Sequence, residues 1–222
     1  MKMKKLLSKE LRLCLTPQAI ILCCLSSLII IPSWPSIIAF IYTFMAFIVV
    51  FPMAIANHDM EYTAILPVRK KDIVKGKVLL AISIETISIL ISIPFALLKV
   101  FFVNGSIPAA DAYTDLGINF VLYGIVLGLS GLFNLIFIPW YYKNPYKTAK
   151  SQVFTTFLIM IIMMVIMSIF MIFPEASKFV NTFSGIALLV QLLSLFIGLL
   201  LFLGLSALAA YLGGKQLEKI DL

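Results

Sequence analysis

Glu85 is the residue whose type and position most clearly allow chemistry. It is the one acidic residue within the long apolar stretches, and Asn134 lies at a similar depth in another stretch. A carboxyl group inside a bilayer is costly unless it is protonated or paired. Two interpretations stay open: Glu85 faces a cavity and relays protons, or it is a protonated or hydrogen-bonded structural group with Asn134 as candidate partner.

Other side chains of catalytic type lack the partners that their chemistry needs. The segment GLSG at 128–131 is similar to the motif of rhomboid-type intramembrane proteases, but Ser130 would need a histidine at membrane depth. The single histidine, His58, lies in a charged segment. The sequence contains no G-x-x-x-x-G-K-[ST] nucleotide motif, and its three cysteines lack Cys-x-x-Cys spacing. We predict no catalytic residue, no metal ligand and no cofactor in this chain.

Two sets of residues recur at helical spacing. The first consists of small residues that let another helix approach closely, within the subunit or at a dimer interface: Gly117, Gly124, Gly128 and Gly131. The second offers an adaptable apolar surface: Met160, Met163, Met164, Met167 and Met171. We interpret the methionines as packing residues or as a cargo-facing surface. A copper path is a weaker alternative, because no cysteine or histidine supports it.

The composition defines the elements that must position these residues. The chain has 222 residues, of which 62% are hydrophobic and 12% charged, which is outside the range of soluble domains. The apolar runs are continuous rather than alternating, so they predict helices long enough to cross a bilayer. We predict an all-α integral membrane protein, a single transmembrane domain over 1–222, with six spans at about 16–31, 36–56, 78–98, 116–139, 152–173 and 183–212. Thr16 can cap the helix of the first span, and Pro17 can occupy its first turn.

The distribution of basic residues predicts the orientation. Fifteen of the 17 lysines and arginines lie in the N-terminal segment, the loops after spans two and four, and the C-terminus. The two on the other side are Lys99 and Lys178. By the positive-inside rule both termini are cytoplasmic and the protein lies in the plasma membrane. The net charge of +7 then faces anionic lipid headgroups, and no basic patch interleaved with aromatic residues indicates nucleic-acid binding.

The N-terminal residues 1–14 have the pattern of an amphipathic helix. Apolar positions share one face, Met3, Leu7, Leu11 and Cys14, and basic positions share the other, Lys2, Lys5, Lys9 and Arg12. Such a helix lies in the membrane interface. The alternative is a basic tail that only obeys the charge rule.

Residues 57–77, NHDMEYTAILPVRKKDIVKGK, form the most charged segment between two spans. Residues 58–66 can form about two helical turns before Pro67 disfavours helix at Leu66. The segment therefore predicts a short cytoplasmic helix, a Pro67–Val68 corner and a return into the third span. An ordinary charged loop is the alternative.

The stretch LPVRKKDIVKGK is similar to the L-P-V-S-R-K-x-I-V-x-x-K signature of short, six-span permeases of type 2 ATP-binding-cassette (ABC-2) exporters. Arg69 replaces the usual small hydroxyl residue. The resemblance implies that the loop contacts a separate cytoplasmic ATPase, with two copies per complex, which binds ATP and magnesium. The coupling residues that it implies are Asp59, Glu61, Tyr62, Leu66, Pro67, Val68, Arg69, Lys70 and Lys71.

The resemblance further implies a second permease, identical or different, around a central cleft, and the export of an amphipathic or hydrophobic cargo such as a peptide, bacteriocin, antibiotic or lipid. Two other functions stay open. A secondary transporter would use Glu85 as a proton site, although such carriers ordinarily have more intramembrane charges and more spans. A membrane immunity or scaffold protein would transport nothing.

Overall fold

The chain folds into helices, in keeping with the predicted all-α class. The structure is a computed structural model and describes residues 3–32, 34–59, 62–63, 69–103, 116–144 and 148–219. In these ranges the α-helices are α1 (Met3–Cys14), α2 (Pro17–Cys24), α3 (Ile41–Ala56), α4 (Lys70–Leu98), α5 (Phe120–Lys143), α6 (Thr148–Ile172), α7 (Pro174–Val180) and α8 (Gly185–Glu218). A tighter 3-10 turn at Leu25–Ile30 follows α2, and another at Ser36–Phe40 precedes α3. A π-helical turn at Lys99–Val103 follows α4.

Five of these helical segments are long and apolar enough to cross a membrane, as predicted for spans two to six. They are Ser36–Ala56, Lys70–Phe102, Phe120–Lys143, Thr148–Ile172 and Gly185–Glu218. They extend beyond the expected bounds mainly at the basic ends: α4 begins at Lys70 rather than at 78, and α8 continues to Glu218 rather than 212. Lysine and arginine are good helix formers, so basic residues lengthen these helices instead of ending them.

The first predicted span differs from a straight crossing. Thr16 caps α2 by accepting a hydrogen bond from the backbone N–H of Ala19 at 3.3 Å, and Pro17 occupies the first turn, as the sequence predicts. The helix then tightens into the 3-10 turn and ends at Ile30. Leu6–Cys14 and Pro17–Ile30 meet at 92°, and they count as a sixth span only when this bent pair is taken as one.

The core consists of aromatic side chains stacked between α3 and α5. Phe47 lies on Phe133 with ring centroids 4.8 Å apart, and Phe51 contacts Phe137 edge-on at 4.5 Å. These rings are almost completely buried. In contrast, α6 and α8 expose most of their apolar residues, as Phe157 and Leu193 show. This is the distribution of a bundle whose outer helices face lipid or another membrane protein.

Candidate functional site

The charged residues of three separate segments meet in one buried group at the end of the bundle where α4 begins. Lys9 and Glu10 come from α1, Asp59 from the segment after α3, and Lys77 from the second turn of α4; we call these four residues the charge cluster. The ammonium nitrogen of Lys77 lies 2.5 Å from Oε2 of Glu10 and 2.6 Å from Oδ2 of Asp59. Lys9 approaches Oδ1 of Asp59 at 2.6 Å and Oε1 of Glu10 at 3.0 Å. Two positive and two negative charges thus balance one another.

Neighbouring polar groups complete the charge cluster. The hydroxyl of Thr63 accepts a hydrogen bond from Lys9 at 2.5 Å and donates one to the backbone carbonyl of Asp59. Burial alone would raise the pKa of Asp59, but the ammonium groups of Lys77 and Lys9 outweigh it and hold that pKa below its usual value. The Asp59 carboxylate therefore stays ionised throughout the physiological pH range, and the ion pairs persist with it.

Glu10, Cys14 and Asp59 have the residue types of a metal site, and their ligand atoms lie within 4.8 Å of one another. The ammonium nitrogen of Lys77 lies among them, 3.1 Å from the Cys14 sulfur and within hydrogen-bond distance of both carboxylates. A metal ion in that position would be repelled by this charge. The arrangement therefore fits a structural ion-pair group rather than a metal centre.

The packing of α1 differs from the expected amphipathic arrangement. The buried face carries Leu6, Glu10 and Cys14, whereas Leu7 and Leu11 are only partly buried. The reason is the close approach to α4: a β-carbon at Gly76 would lie 2.9 Å from the side chain of Leu6. One side of α1 is thus fixed to α4 by contact and by charge, and Arg12 stays exposed.

Some of the residues predicted to couple to an ATPase are buried and others are exposed. Asp59 is buried in the charge cluster, so its carboxylate faces the interior rather than a partner surface. Tyr62 is 55% exposed, Arg69 and Lys71 are exposed, and Lys70 is half-buried. Predictions for four other residues fall outside the described ranges: Glu61, Leu66, Pro67 and Val68.

A polar groove lies beside the charge cluster, between α1 and the segment that follows α3. It has a volume of about 440 Å³ and is lined by Ser8, Lys9, Arg12, Leu13, Asn57 and Tyr62. Its walls are joined by a hydrogen bond that the Asn57 side chain donates to the backbone carbonyl of Leu13 at 2.8 Å. The groove is therefore a surface built jointly by two segments that the charge cluster holds together.

Glu85 lies in the middle of the bundle and is completely buried. The Asn134 side chain of α5 donates a hydrogen bond to Oε2 of Glu85 at 2.9 Å and another to the hydroxyl of Ser206 on α8 at 3.1 Å. Oε1 of Glu85 and Oδ1 of Asn134 are buried without a hydrogen-bond partner. The Glu85–Asn134 pairing, one of the two interpretations from the sequence, is present and joins three helices.

Replacement of Glu85 by glutamine is expected to change thermal stability little, because a glutamine oxygen can still accept from Asn134 and its amide can donate to Oδ1. Glu85→Ala should lower the unfolding free energy by about 1–3 kcal/mol, because it leaves a buried amide unsatisfied. Thermal unfolding of both variants in detergent measures this difference. Transport that persists without ATP but is abolished in Glu85→Gln would contradict the structural role and favour a proton site.

The predicted glycine stripe meets α8 at two of its positions. A β-carbon at Gly124 would lie 2.5 Å from the backbone carbonyl oxygen of Ser194, and one at Gly131 would lie 2.8 Å from the Cα of Phe202. Gly117 instead approaches the side chain of Asn181, and Gly128 has room for a β-carbon. Gly124 and Gly131 therefore allow close packing inside the subunit; a dimer interface stays a prediction.

The methionines of α6 do not share one face. Met163 is buried and Met160 and Met167 pack partly against the core, whereas Met164 and Met171 point outward with 57% and 47% of their surface exposed. A cargo-facing or partner-facing role is therefore geometrically open only to the outward pair, and it stays a prediction.

The charge cluster was missed at the sequence level. Leu6, Glu10 and Cys14 recur every four residues, a spacing that places an acid on an otherwise apolar helical face. A buried acid requires a compensating base, and Lys77 lies directly before the apolar part of the third span. The sequence therefore contained an indication that Glu10 pairs with Lys77, but nothing in it indicated that Asp59 belongs to the charge cluster.

Comparison with known proteins agrees with this architecture. The family model described as "ABC-2 family transporter protein" matches residues 5–212. The chain therefore belongs to the ABC-2 transporter family, whose members are membrane components of transporters. The family resemblance stated from the sequence is confirmed. No curated protein and no solved structure gives a significant match to the chain.

Proposed function

We propose that this chain is the permease subunit of an exporter that a separate cytoplasmic ATPase drives. Membership of the ABC-2 family supports a permease. The observation that carries the proposal further is the charge cluster. It fixes α1, the segment after α3 and the start of α4 to one another, so that a force applied to any one of them moves the long helix α4. A permease without a nucleotide motif needs such a mechanical connection.

The contact surface in this proposal is the polar groove together with the exposed residues that follow it. Arg12 and Tyr62 line the groove, and Arg69 and Lys71 are exposed where α4 begins. Arg12, Arg69 and Lys71 are cationic, and Lys71 also lies 3.2 Å from the exposed Glu218 carboxylate of α8. An ATPase surface with acidic residues would complement them. In this proposal the end of the bundle that carries the groove is cytoplasmic, in agreement with the positive-inside rule. The protein lies in the plasma membrane with both termini in the cytoplasm. Two ATPases and a second permease complete the transporter.

Reversal of charge at the exposed residues is expected to uncouple transport. Arg69→Glu combined with Lys71→Glu should reduce cargo-stimulated ATPase activity of the reconstituted complex by at least about tenfold, which corresponds to ~1.4 kcal/mol of lost coupling. Membrane insertion should be unaffected, because both side chains are exposed and the Lys71–Glu218 ion pair that the change breaks is exposed as well, so that it contributes little to stability.

Lys150→Glu is the matched control, because Lys150 is an exposed lysine in the first turn of α6, at the same end of the bundle. It should leave the stimulation unchanged. Equal loss in both variants would show a general dependence on positive charge, and full stimulation in the double variant would remove this surface from the mechanism.

A further inference from the structure

An apolar cavity of about 500 Å³ lies between α4, α5 and α8, at the end of the bundle away from the charge cluster. Ile93, Ala96 and Phe101 line its α4 side, Phe120 and Leu127 its α5 side, and Leu195 comes from α8. Its volume is within the range of sites that hold small ligands. No part of the proposed coupling function uses it.

The polar side chains that border the cavity are already occupied. Oδ1 of Asn119 accepts from the backbone N–H of Leu122 at 2.9 Å, and its amide donates to Asn181 at 2.7 Å. The hydroxyl of Tyr123 lies 3.2 Å from that of Ser92, within hydrogen-bond distance. Each polar side chain of the described lining therefore already has a hydrogen-bond partner within the protein, and the other lining residues are apolar. A headgroup would lose its hydration there without compensation, whereas a hydrocarbon chain would not.

The α4 wall of the cavity is the least regular part of that helix. Pro94 lacks the N–H for one helical hydrogen bond, and the π-helical turn Lys99–Val103 follows it. The same helix carries Lys77 of the charge cluster, 16 residues before Ile93, or about 24 Å along the axis. Movement of α4 at the charge cluster would therefore reach the cavity wall through one continuous helix.

We propose that this cavity binds the alkyl chain of a single-chain amphiphile, and that it is the site for the hydrophobic part of the cargo. The assignment of the cavity as a cargo site rests on the proposed transport function. The binding of an alkyl chain in the cavity does not depend on that function. The outward methionines of α6 are not part of its lining.

The test uses the full chain in nanodiscs with a tryptophan reporter. The two natural tryptophans, Trp34 and Trp140, are replaced by phenylalanine, and Phe120→Trp places a reporter at the cavity. Stearic acid brominated in mid-chain is the probe, because bromine quenches tryptophan fluorescence at short range. Quenching should saturate at a low mole fraction of probe and be reversed by unbrominated stearic acid. Ala96→Phe, which fills the cavity, should raise the half-quenching concentration about tenfold.

Two controls make the result decisive. Ala207→Phe adds the same bulk on the exposed face of α8 and should not change the quenching. A reporter at Phe157, which is 60% exposed on α6, should show unsaturable quenching that follows the probe content of the bilayer. The proposal is overturned if both reporters behave alike, or if brominated two-chain phosphatidylcholine quenches Phe120→Trp as well as the fatty acid does. Since no ATPase is present, neither result decides the proposed function.

Discussion

Replacement of Lys77 by methionine is expected to lower the unfolding free energy by about 3–5 kcal/mol, the usual effect of removing one member of a buried charge group. Lys77 is 3% exposed and contacts both carboxylates of the charge cluster. Without its charge, Glu10 and Asp59 repel each other in a buried site, and Lys9 alone cannot neutralise both. Denaturant titration in detergent measures the change, and limited proteolysis of α1 shows whether this helix is released.

Two further variants separate lost charge balance from lost bulk. Lys75→Met removes an exposed lysine two residues away, whose nitrogen lies 3.8 Å from the Asp72 carboxylate, and should change stability by less than about 1 kcal/mol. The triple variant Glu10→Gln, Asp59→Asn, Lys77→Met should recover part of the loss, because it leaves no uncompensated carboxylate. If Lys77→Met is as stable as Lys75→Met, the charge cluster does not hold α1.

Gly198→Ala is expected to destabilise the protein by about 1–3 kcal/mol, the cost of overfilling a well-packed contact. A β-carbon at Gly198 would overlap the backbone carbonyl of Gly124, where α5 and α8 pack closely against each other. Backbone atoms cannot move aside as a flexible side chain can, so the two helices must separate. The thermal unfolding temperature in detergent measures this effect.

Gly204→Ala is the matched control on the same helix. A β-carbon there would have no neighbour within 4 Å, so the substitution adds helix propensity without a clash. It should stabilise α8 by up to about 1 kcal/mol. If Gly198→Ala lowers stability and Gly204→Ala raises it, the close packing of α5 and α8 is established. If both variants change stability in the same direction, the close packing is contradicted.

The sequence predicted the properties that depend on composition and local pattern. Continuous apolar runs predicted the all-helical membrane fold, and the Thr16–Pro17 pair predicted where α2 begins. The similar depths of Glu85 and Asn134 led to the pairing between them. Each of these follows from spacing along a helix, which the sequence contains directly.

The charge cluster could not be derived in the same way. Glu10 and Lys77 are 67 residues apart, and Lys9 and Asp59 are 50 apart. The charge pattern assigned Lys77 to a solvated basic loop because lysine near a span ordinarily lies in water or at the headgroups. Only the tertiary approach of α1 to Gly76 creates a buried site in which that charge is compensated.

We propose that a separate ATPase engages this protein at the surface around the charge cluster. The most direct test places a photoreactive phenylalanine analogue at position 62, with a matched analogue at Phe173, an exposed aromatic position at the other end of the bundle. After illumination of native membranes, mass spectrometry identifies the cross-linked proteins. We predict a P-loop ATPase cross-linked at position 62 and absent at position 173. Recovery of no ATPase at position 62, or equal recovery at both positions, would contradict the account.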